Sequence, residues 1–434
     1  MSIANPAIPA LPTPPALGRN ETQAAWVVVG AGIVGSSIAL RLRQQGHAVL
    51  LLDRVGAAAQ ASRCNAGACA YSDILPLASP GIIRQAPRWL LDPLGPLSIP
   101  PRYLPRITPW LWRFWRASQA PQVLASTQAQ AALMKLAAQA MPRLVQDVGA
   151  PEQLHTDGNL QLYESLAELQ AAQPSWDLRA RHGIQYQHLH SPQAIAALQP
   201  GLSANLVAAT WVPAWQRIDN PQRLCEQVVA AFVSAGGLFR QADVQALAAT
   251  PTGLALNLAG GLVLQAQRVV VAAGAWSHQL AQTLGDRIPL ETERGYNTTL
   301  PAGAFDLRRQ LTFGGRGFVV TPIAGGVRVG GAVELGGLKA APNYRRSQAL
   351  LDKAKRFLPA LKTEGGTQWM GFRPSLPDSL PVIGPAPADA RVLYAFGHGH
   401  LGLTQSAATA ELVAQLAAVQ TPAVDLKPFR AGRF

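Results

Sequence analysis

The sequence predicts an α/β protein with a Rossmann-like segment near its N-terminus and a second domain packed closely against it. Three observations predict this. The chain has 434 residues, more than one hydrophobic core usually covers. Residues 24–54, AAWVVVGAGIVGSSIALRLRQQGHAVLLLDR, read as strand, glycine loop, helix, strand and acid, in that order. Short strand-like runs return at 238–272 and 298–335, separated by glycine turns. Hydrophobic residues make up 48% and charged residues 14%, a globular rather than a disordered composition.

Each part of the first segment has a physical task. Trp26 to Val29 is an apolar, β-branched run, hence a buried strand. Gly30, Ala31, Gly32, Ile33, Val34 and Gly35 spell GxGxxG. Gly30 allows the tight turn, Gly32 lets the backbone approach a pyrophosphate, and Gly35 lets helix and strand pack closely. The helix that follows offers free N–H groups to the phosphates and stops near Gly46. Ala48 to Leu52 is a second buried strand, and Asp53 at its end suits a ribose diol. The order and spacing predict dinucleotide binding. An acid rather than an arginine at 53 argues against a 2′-phosphate. The next loop, 58–73, is rich in small residues, among them Ser62, Asn65, Ala66 and Gly67. Such a stretch can lie flat against a planar ring.

Helices are expected at 127–148, 165–183, 220–237 and 345–357. In the third, Asn220 is the N-cap and Gly236-Gly237 the stop. Strands are expected at 238–243, 254–258, 262–264 and 268–272, and a second β-rich stretch at 298–335. Residues 1 to about 22 are alanine- and proline-rich and fail as a secretory signal; a disordered tail is expected there. Near the other end, FGHGHLGLTQSAATAELVAQLA (396–417) is a glycine loop opening a helix, again a feature suited to an anion.

The net charge of +13 suits nucleic acid, anionic lipid or acidic small molecules, or simply a basic surface; no nucleic-acid module accompanies it. The cysteines are Cys64, Cys69 and Cys225, with no CxxC pair, so no zinc signature is present and no metal is expected. A reducing compartment follows. No apolar run of about 18 residues occurs, so no transmembrane helix is expected. Residues 84–116 hold Trp89, Trp110, Trp112 and Trp115 with six arginines and one acid. That mixture suits a membrane interface or an active-site cover.

Taken together, VVVGAGIVGSSIALRL with LLDR, SRCNAGACAYSDILPLASPG, VVVAAGAWS, GFRPSLPDSLPVIGP and GHGHLGLTQS resemble the D-amino acid oxidase/glycine oxidase superfamily of FAD enzymes, and within it the bacterial D-amino acid dehydrogenases of the small-subunit type. The resemblance covers nearly the whole chain after residue 24. It implies a Rossmann-like FAD-binding domain (24–78, 220–290 and 365–434) interleaved with an α+β substrate domain on a mixed β-sheet (79–219 and 291–364), after a tail at 1–23. It implies oxidation of a small D-amino or cyclic imino acid by hydride transfer from Cα to flavin N5, with electrons passed to a quinone or other carrier. An oxidase that uses oxygen and a non-catalytic flavin-bearing subunit of an amine dehydrogenase complex are the alternatives. The implied location is cytoplasmic or peripheral on the cytoplasmic face of the inner membrane.

The resemblance also implies site residues. FAD contacts fall on Gly30, Ala31, Gly32, Ile33, Val34, Gly35, Asp53 and Arg54; on Ser62, Asn65, Ala66 and Gly67; on Val244, Ala273, Gly274 and Trp276; and on Gly399, His400, Leu401, Gly402, Leu403 and Thr404. The last group would stabilise charge at the pyrimidine side of the reduced ring. Noncovalent FAD is expected, because nothing aims Cys64 or a histidine at the ring. Arg373 in GFRP is the expected carboxylate anchor, since a guanidinium pairs with a carboxylate bidentately. Tyr296 is expected to donate to the same carboxylate, and Arg294 to assist it or support the flavin. Many relatives read KGYS where this chain reads RGYN. His398 and His400 are expected to pack or hydrogen-bond beside the ring rather than act as bases.

Overall fold

The computed structural model describes residues 13–18, 21–79 and 97–434. Two large sheets organise it. The first has eight strands. Strands Leu238–Gln241, Val49–Asp53, Gln23–Val29 and Val263–Val271 lie side by side in that order and run parallel. Val392–Phe396 continues the parallel set beside Val269 to Val271, and an antiparallel hairpin, Gly253–Leu258 with Val244–Thr250, completes the other branch. Val27 and Val28 have no exposure; a strand buried on both faces is apolar throughout. Each such valine contributes about 1.5–3 kcal/mol by leaving water.

Helix Ile33–Gln44 leaves the first glycine loop and packs against helices Pro221–Ser234 and Gly402–Ala417. Asn220 caps Pro221–Ser234 as expected, accepting from the Arg223 N–H at 3.1 Å. The helix expected at 127–148 begins earlier, as Ala120–Asp147. Its Leu133, Ala137 and Met141 share a core with Ala407 and Ala410 and with Val28 and Leu51 of the first sheet.

The second sheet has nine strands and is mostly antiparallel. Thr367–Ser375, Glu291–Pro301, Gly326–Leu335, Phe318–Ile323 and Gln310–Phe313 follow one another across it. Asn159–Tyr163 joins Gln310–Phe313 in parallel, which makes the sheet mixed. Helix Arg345–Phe357 covers one face through Leu350, Leu351, Ala354 and Phe357.

Three expectations change. The runs at 262–264 and 268–272 form one strand, Val263–Val271, because Gln265 and Gln267 lie outward while Leu264 and Ala266 lie inward. Strand Thr367–Ser375, expected with the first glycine-loop domain, pairs with Glu291–Pro301 in the second sheet. Part of the expected tail is ordered: Ala16 bridges Gln241, and Glu21 pairs with Arg240 at 2.8 Å. Residues 1–12 and 19–20 of that tail, and 80–96 of the tryptophan-rich stretch, lie outside the described residues. Among the described residues, no helix is long and apolar enough to cross a membrane.

Candidate active site

A cavity of about 820 Å³ lies between the two sheets. At one end it meets the first glycine loop. Gly30 has φ of 110°, and a side chain there would strike the Ala272 carbonyl; one at Gly35 would strike the Gly30 carbonyl. Gly32 faces only Ser62 Oγ, at 3.2 Å from where a Cβ would stand. The turn, the close packing and the open approach are thus divided among the three glycines as the motif requires. Helix Ile33–Gln44 has no acidic residue in its first turn, which leaves that N-terminus favourable to phosphate.

Asp53 lines the cavity and also builds the loop. Its Oδ2 accepts from Ala31 N at 2.8 Å, and its Oδ1 from Val55 N at 2.8 Å and Gly56 N at 3.0 Å. Ser62 Oγ accepts from Ile33 N at 2.9 Å. Arg54 stacks on the Trp276 ring at 3.8 Å, and Val244, Ala273 and Gly274 line the cavity beside it. Ile33, Val34, Asn65 and Ala66 line it too, whereas Ala31, Gly35, Gly67 and Thr404 shape the wall from behind.

Two residues that sequence reasoning missed hold the ring loop to the substrate sheet. Arg328 Nη1 donates to the Asn65 carbonyl at 2.5 Å, and Asn297 Nδ2 to the Cys64 carbonyl at 2.7 Å. Arg328 lies in the expected β-rich stretch at 298–335 and Asn297 just before it, and period-2 counting from Gly330 and Gly295 puts both on the cavity face. Asn297 Oδ1 and Gln310 Oε1, on cavity-lining residues, are buried without a partner among the described residues; such atoms call for a ligand.

The second glycine loop closes the far end. Gly397 and Gly399 have φ of 85° and 54°. The Gly399 N–H donates to the Pro374 carbonyl at 2.7 Å, and Ser375 bridges His398. The loop is therefore pinned to the strand that carries Arg373. Gly399, His400, Leu401, Gly402 and Leu403 reach the cavity. Thr404 does not: its Oγ1 donates to the Ala68 carbonyl and accepts from Ala70 N, each at 3.1 Å, and clamps the ring loop to helix Gly402–Ala417.

His398 is buried, bonded to Thr409 Oγ1 at 3.0 Å, and burial pushes its pKa down to about 3. It is neutral. His400 sits at the mouth, 3.0 Å from Asp73 Oδ2. Burial pushes the Asp73 carboxyl up, but the His400 hydrogen bond, its charge and that of Arg179 outweigh burial and hold it below the usual range.

Strand Glu291–Pro301 separates the remaining candidates. Tyr296 and Arg294 lie on the face turned to helix Arg345–Phe357 and have no exposure. The Tyr296 hydroxyl donates to Glu334 Oε2 at 2.5 Å and accepts from Asn343 N at 3.1 Å. Burial and Glu334 push its pKa up to about 12. Arg294 donates to Glu334 Oε2 at 3.0 Å and to the Ala340 carbonyl at 2.6 Å. Arg294 and the Tyr296 hydroxyl are thus both engaged by Glu334, while Tyr296 also borders the cavity.

Arg373 faces the cavity. It lies directly over Gly295, where any side chain would enter its guanidinium. Among the described residues its single hydrogen bond goes from Nη1 to the Ala332 carbonyl at 3.1 Å. Ala332 turns that carbonyl by taking a left-handed conformation, φ 57°, unusual for a residue with a side chain. Burial pulls the Arg373 pKa down, and the charge of Glu293 opposes that. A guanidinium always charged, with donors left open to a cavity, suits an anionic ligand.

A family described as FAD dependent oxidoreductase (DAO) matches residues 25–416. A D-amino-acid oxidase from Bradyrhizobium diazoefficiens is 33% identical over 94% of this chain and 98% of its own. A D-amino acid dehydrogenase from Vibrio cholerae is 29% identical over 90% of this chain and 94% of its own. Among solved structures, glycine oxidase from Geobacillus kaustophilus superposes with a TM-score of 0.76 at 21% identity, covering 95% of this chain and 99% of that one. L-proline dehydrogenase from P. horikoshii superposes with a TM-score of 0.72 at 18% identity, covering 95% and 98%; these two likenesses speak for the fold. The glycine cradle, the acid at the end of the second strand and the unpartnered polar atoms of the cavity fit FAD, and the chain belongs to the DAO family of FAD-dependent oxidoreductases.

Proposed function

We propose that the protein oxidises small D-amino or cyclic imino acids, giving 2-oxo acids or cyclic imines, and hands the electrons to a quinone or another carrier. The observation that carries this is Arg373: a cationic side chain on the cavity wall, with one backbone partner and its other donors open. It grips the substrate carboxylate and fixes the plane of Cα. Bound FAD, held noncovalently, supplies the acceptor for the hydride of the Cα–H bond. Glycine at 295 leaves room for the guanidinium, and Arg328 with Asn297 keeps the ring loop against the substrate sheet. The names of the two sequence relatives support the substrate class. Anaerobic bleaching of the purified yellow protein by a panel of D- and L-amino acids, with D-proline and hydroxy-D-proline included, tests it. Rapid bleaching by D-substrates supports the reading, and bleaching by none overturns it.

The acceptor reading rests on helix Leu104–Ala117. It buries Ile107, Trp110 and Ala117 and exposes Leu104, Trp112 and Trp115 together with Arg106, Arg113 and Arg116, and Arg102 is exposed in the turn just before it. Exposed tryptophan beside arginine suits an anionic bilayer surface, where a quinone is available, on the cytoplasmic face of the inner membrane. Sedimentation with anionic but not neutral vesicles supports it. The relative named as an oxidase favours a second reading, direct use of oxygen; peroxide formed in step with substrate loss, without a dye or quinone, would establish that instead.

A further inference from the structure

Two buried carboxylates flank strand Glu291–Pro301, and they differ in their partners. Glu334, on the covered side, accepts from Arg294 and Tyr296. Glu293 is 5% exposed, lines the cavity, and has no hydrogen-bond or ion-pair partner among the described residues. A buried charge without a partner is costly unless something else supplies the partner. Glu293 stands directly opposite Arg373 in the strand register, on the same face. Their charges interact, yet they form no direct ion pair. A small second cleft is lined by Glu293, Phe114, Ser375, His398 and His400. A cation and an anion side by side on a cavity wall, each with capacity to spare, are the complement of a zwitterion.

We propose that Glu293 receives the amino group of the substrate, an inference that rests on the amino-acid reading above and on Arg373 holding the carboxylate. Glu293 hydrogen-bonds the substrate ammonium and takes one of its protons. An N–H bond breaks and an O–H bond forms on Glu293. The nitrogen keeps the electron pair, which becomes the second bond to carbon as Cα gives up its hydride to bound FAD. The proton then leaves through the cleft toward solvent. The amine must be neutral before it can push the hydride out, so a nearby acceptor speeds the reaction most where free ammonium dominates.

The charged surroundings are compatible with that role. On its own strand, Glu291 is held by Tyr103 at 2.9 Å, and burial keeps its carboxyl above the usual range; Arg294 faces the other way. The facing strand contributes Arg373. The C-terminal loop contributes neutral His398 and the His400–Asp73 pair.

The test uses the FAD-loaded enzyme, a D-amino acid that bleaches it, and benzoate, a carboxylate with no amine. Benzoate affinity is read from the change in flavin absorbance. Glu293→Gln should bind benzoate as well as the wild type or more tightly, because a negative charge beside Arg373 is gone. Its kcat/KM for the amino acid at pH 7 should fall on the order of 100-fold. The loss should shrink about tenfold per pH unit toward the pKa of the substrate ammonium. Glu293→Asp should keep the wild-type acid limb at lower kcat/KM, and it serves as the variant should the glutamine form fold poorly. The proposal is overturned if Glu293→Gln weakens benzoate and amino acid alike, or follows the wild-type pH profile. A wild type that binds benzoate but is bleached by no amino acid refutes the amino-acid reading itself, before any variant is made.

Discussion

On one face of strand Glu291–Pro301, Arg294 and Tyr296 converge on Glu334, although Arg294 Nε has no partner among the described residues. On the other, Arg373 and Glu293 lie opposite each other, and among the described residues the bond from Arg373 to the Ala332 carbonyl is the one hydrogen bond either side chain makes. The same residue types build a structural network on one side and a binding surface on the other. The difference is satisfaction: polar groups with partners hold a fold together, and polar groups without them wait for a ligand. Burial alone does not tell the two apart, since Glu293 and Glu334 are 5% and 7% exposed.

The comparison can be broken first on the covered side. Glu334→Ala leaves Arg294, which has no exposure, as an uncompensated charge. Unfolding free energy should fall by about 3–5 kcal/mol, read from denaturant titration. Arg373→Ala removes a charge that the fold does not pair and should shift the same midpoint by less than about 1 kcal/mol. Equal losses in the two variants would erase the distinction between the faces.

The cofactor end offers a smaller effect. Asp53→Ala removes a charged acceptor serving three N–H groups of the loop and, with FAD bound, the ribose. Each hydrogen bond to a charged group is worth about 1.5–3 kcal/mol, so FAD affinity should drop at least tenfold. The saturated variant should still bleach at nearly the wild-type rate. A slow rate at full occupancy would take Asp53 out of the ribose role.

A pH-dependent effect concerns His398, a buried group satisfied in its neutral form. Its folded pKa, near 3, lies below the unfolded value of about 6.5. The unfolded chain therefore binds the proton first. The stability His398 contributes is full above about pH 6.5 and is lost as pH falls from there toward 3, at about 1.4 kcal/mol per unit. Comparing His398→Gln with the wild type between pH 7 and 4 isolates this slope; parallel curves would mean that the histidine protonates freely in the folded state.

Much of the nucleotide end was legible in the sequence because local chemistry dictates it. Gly30, Gly32 and Gly35 are each required by a turn, an approach or a close packing, and Asp53 by its place at a strand end. Asn220 was legible as a cap for the same reason. The substrate side was not, because its roles depend on which face of a strand looks at the cavity. The motif RGYN drew attention to Arg294 and Tyr296; of these Tyr296 borders the cavity, together with Glu293, Gly295 and Asn297, and Arg294 does not. Thr404 was placed at the ring by its motif, yet its hydroxyl clamps two backbone groups that only the folded chain brings together. Long-range pairing of this kind leaves no local pattern to read.

The central claim is that the cavity face of this sheet reads a carboxylate through Arg373, and one measurement tests it most directly: benzoate binding to FAD-loaded Arg373→Ala, followed by the flavin spectrum, with FAD content determined alongside. Removing a charged, bidentate partner should weaken benzoate by roughly 3 kcal/mol, on the order of 100-fold. Arg373→Lys should recover only part of this, because an ammonium keeps the charge and loses the fork. FAD content should stay near that of the wild type in both. Benzoate affinity within a few-fold of wild type in the alanine variant would contradict the account and move the carboxylate site away from Arg373.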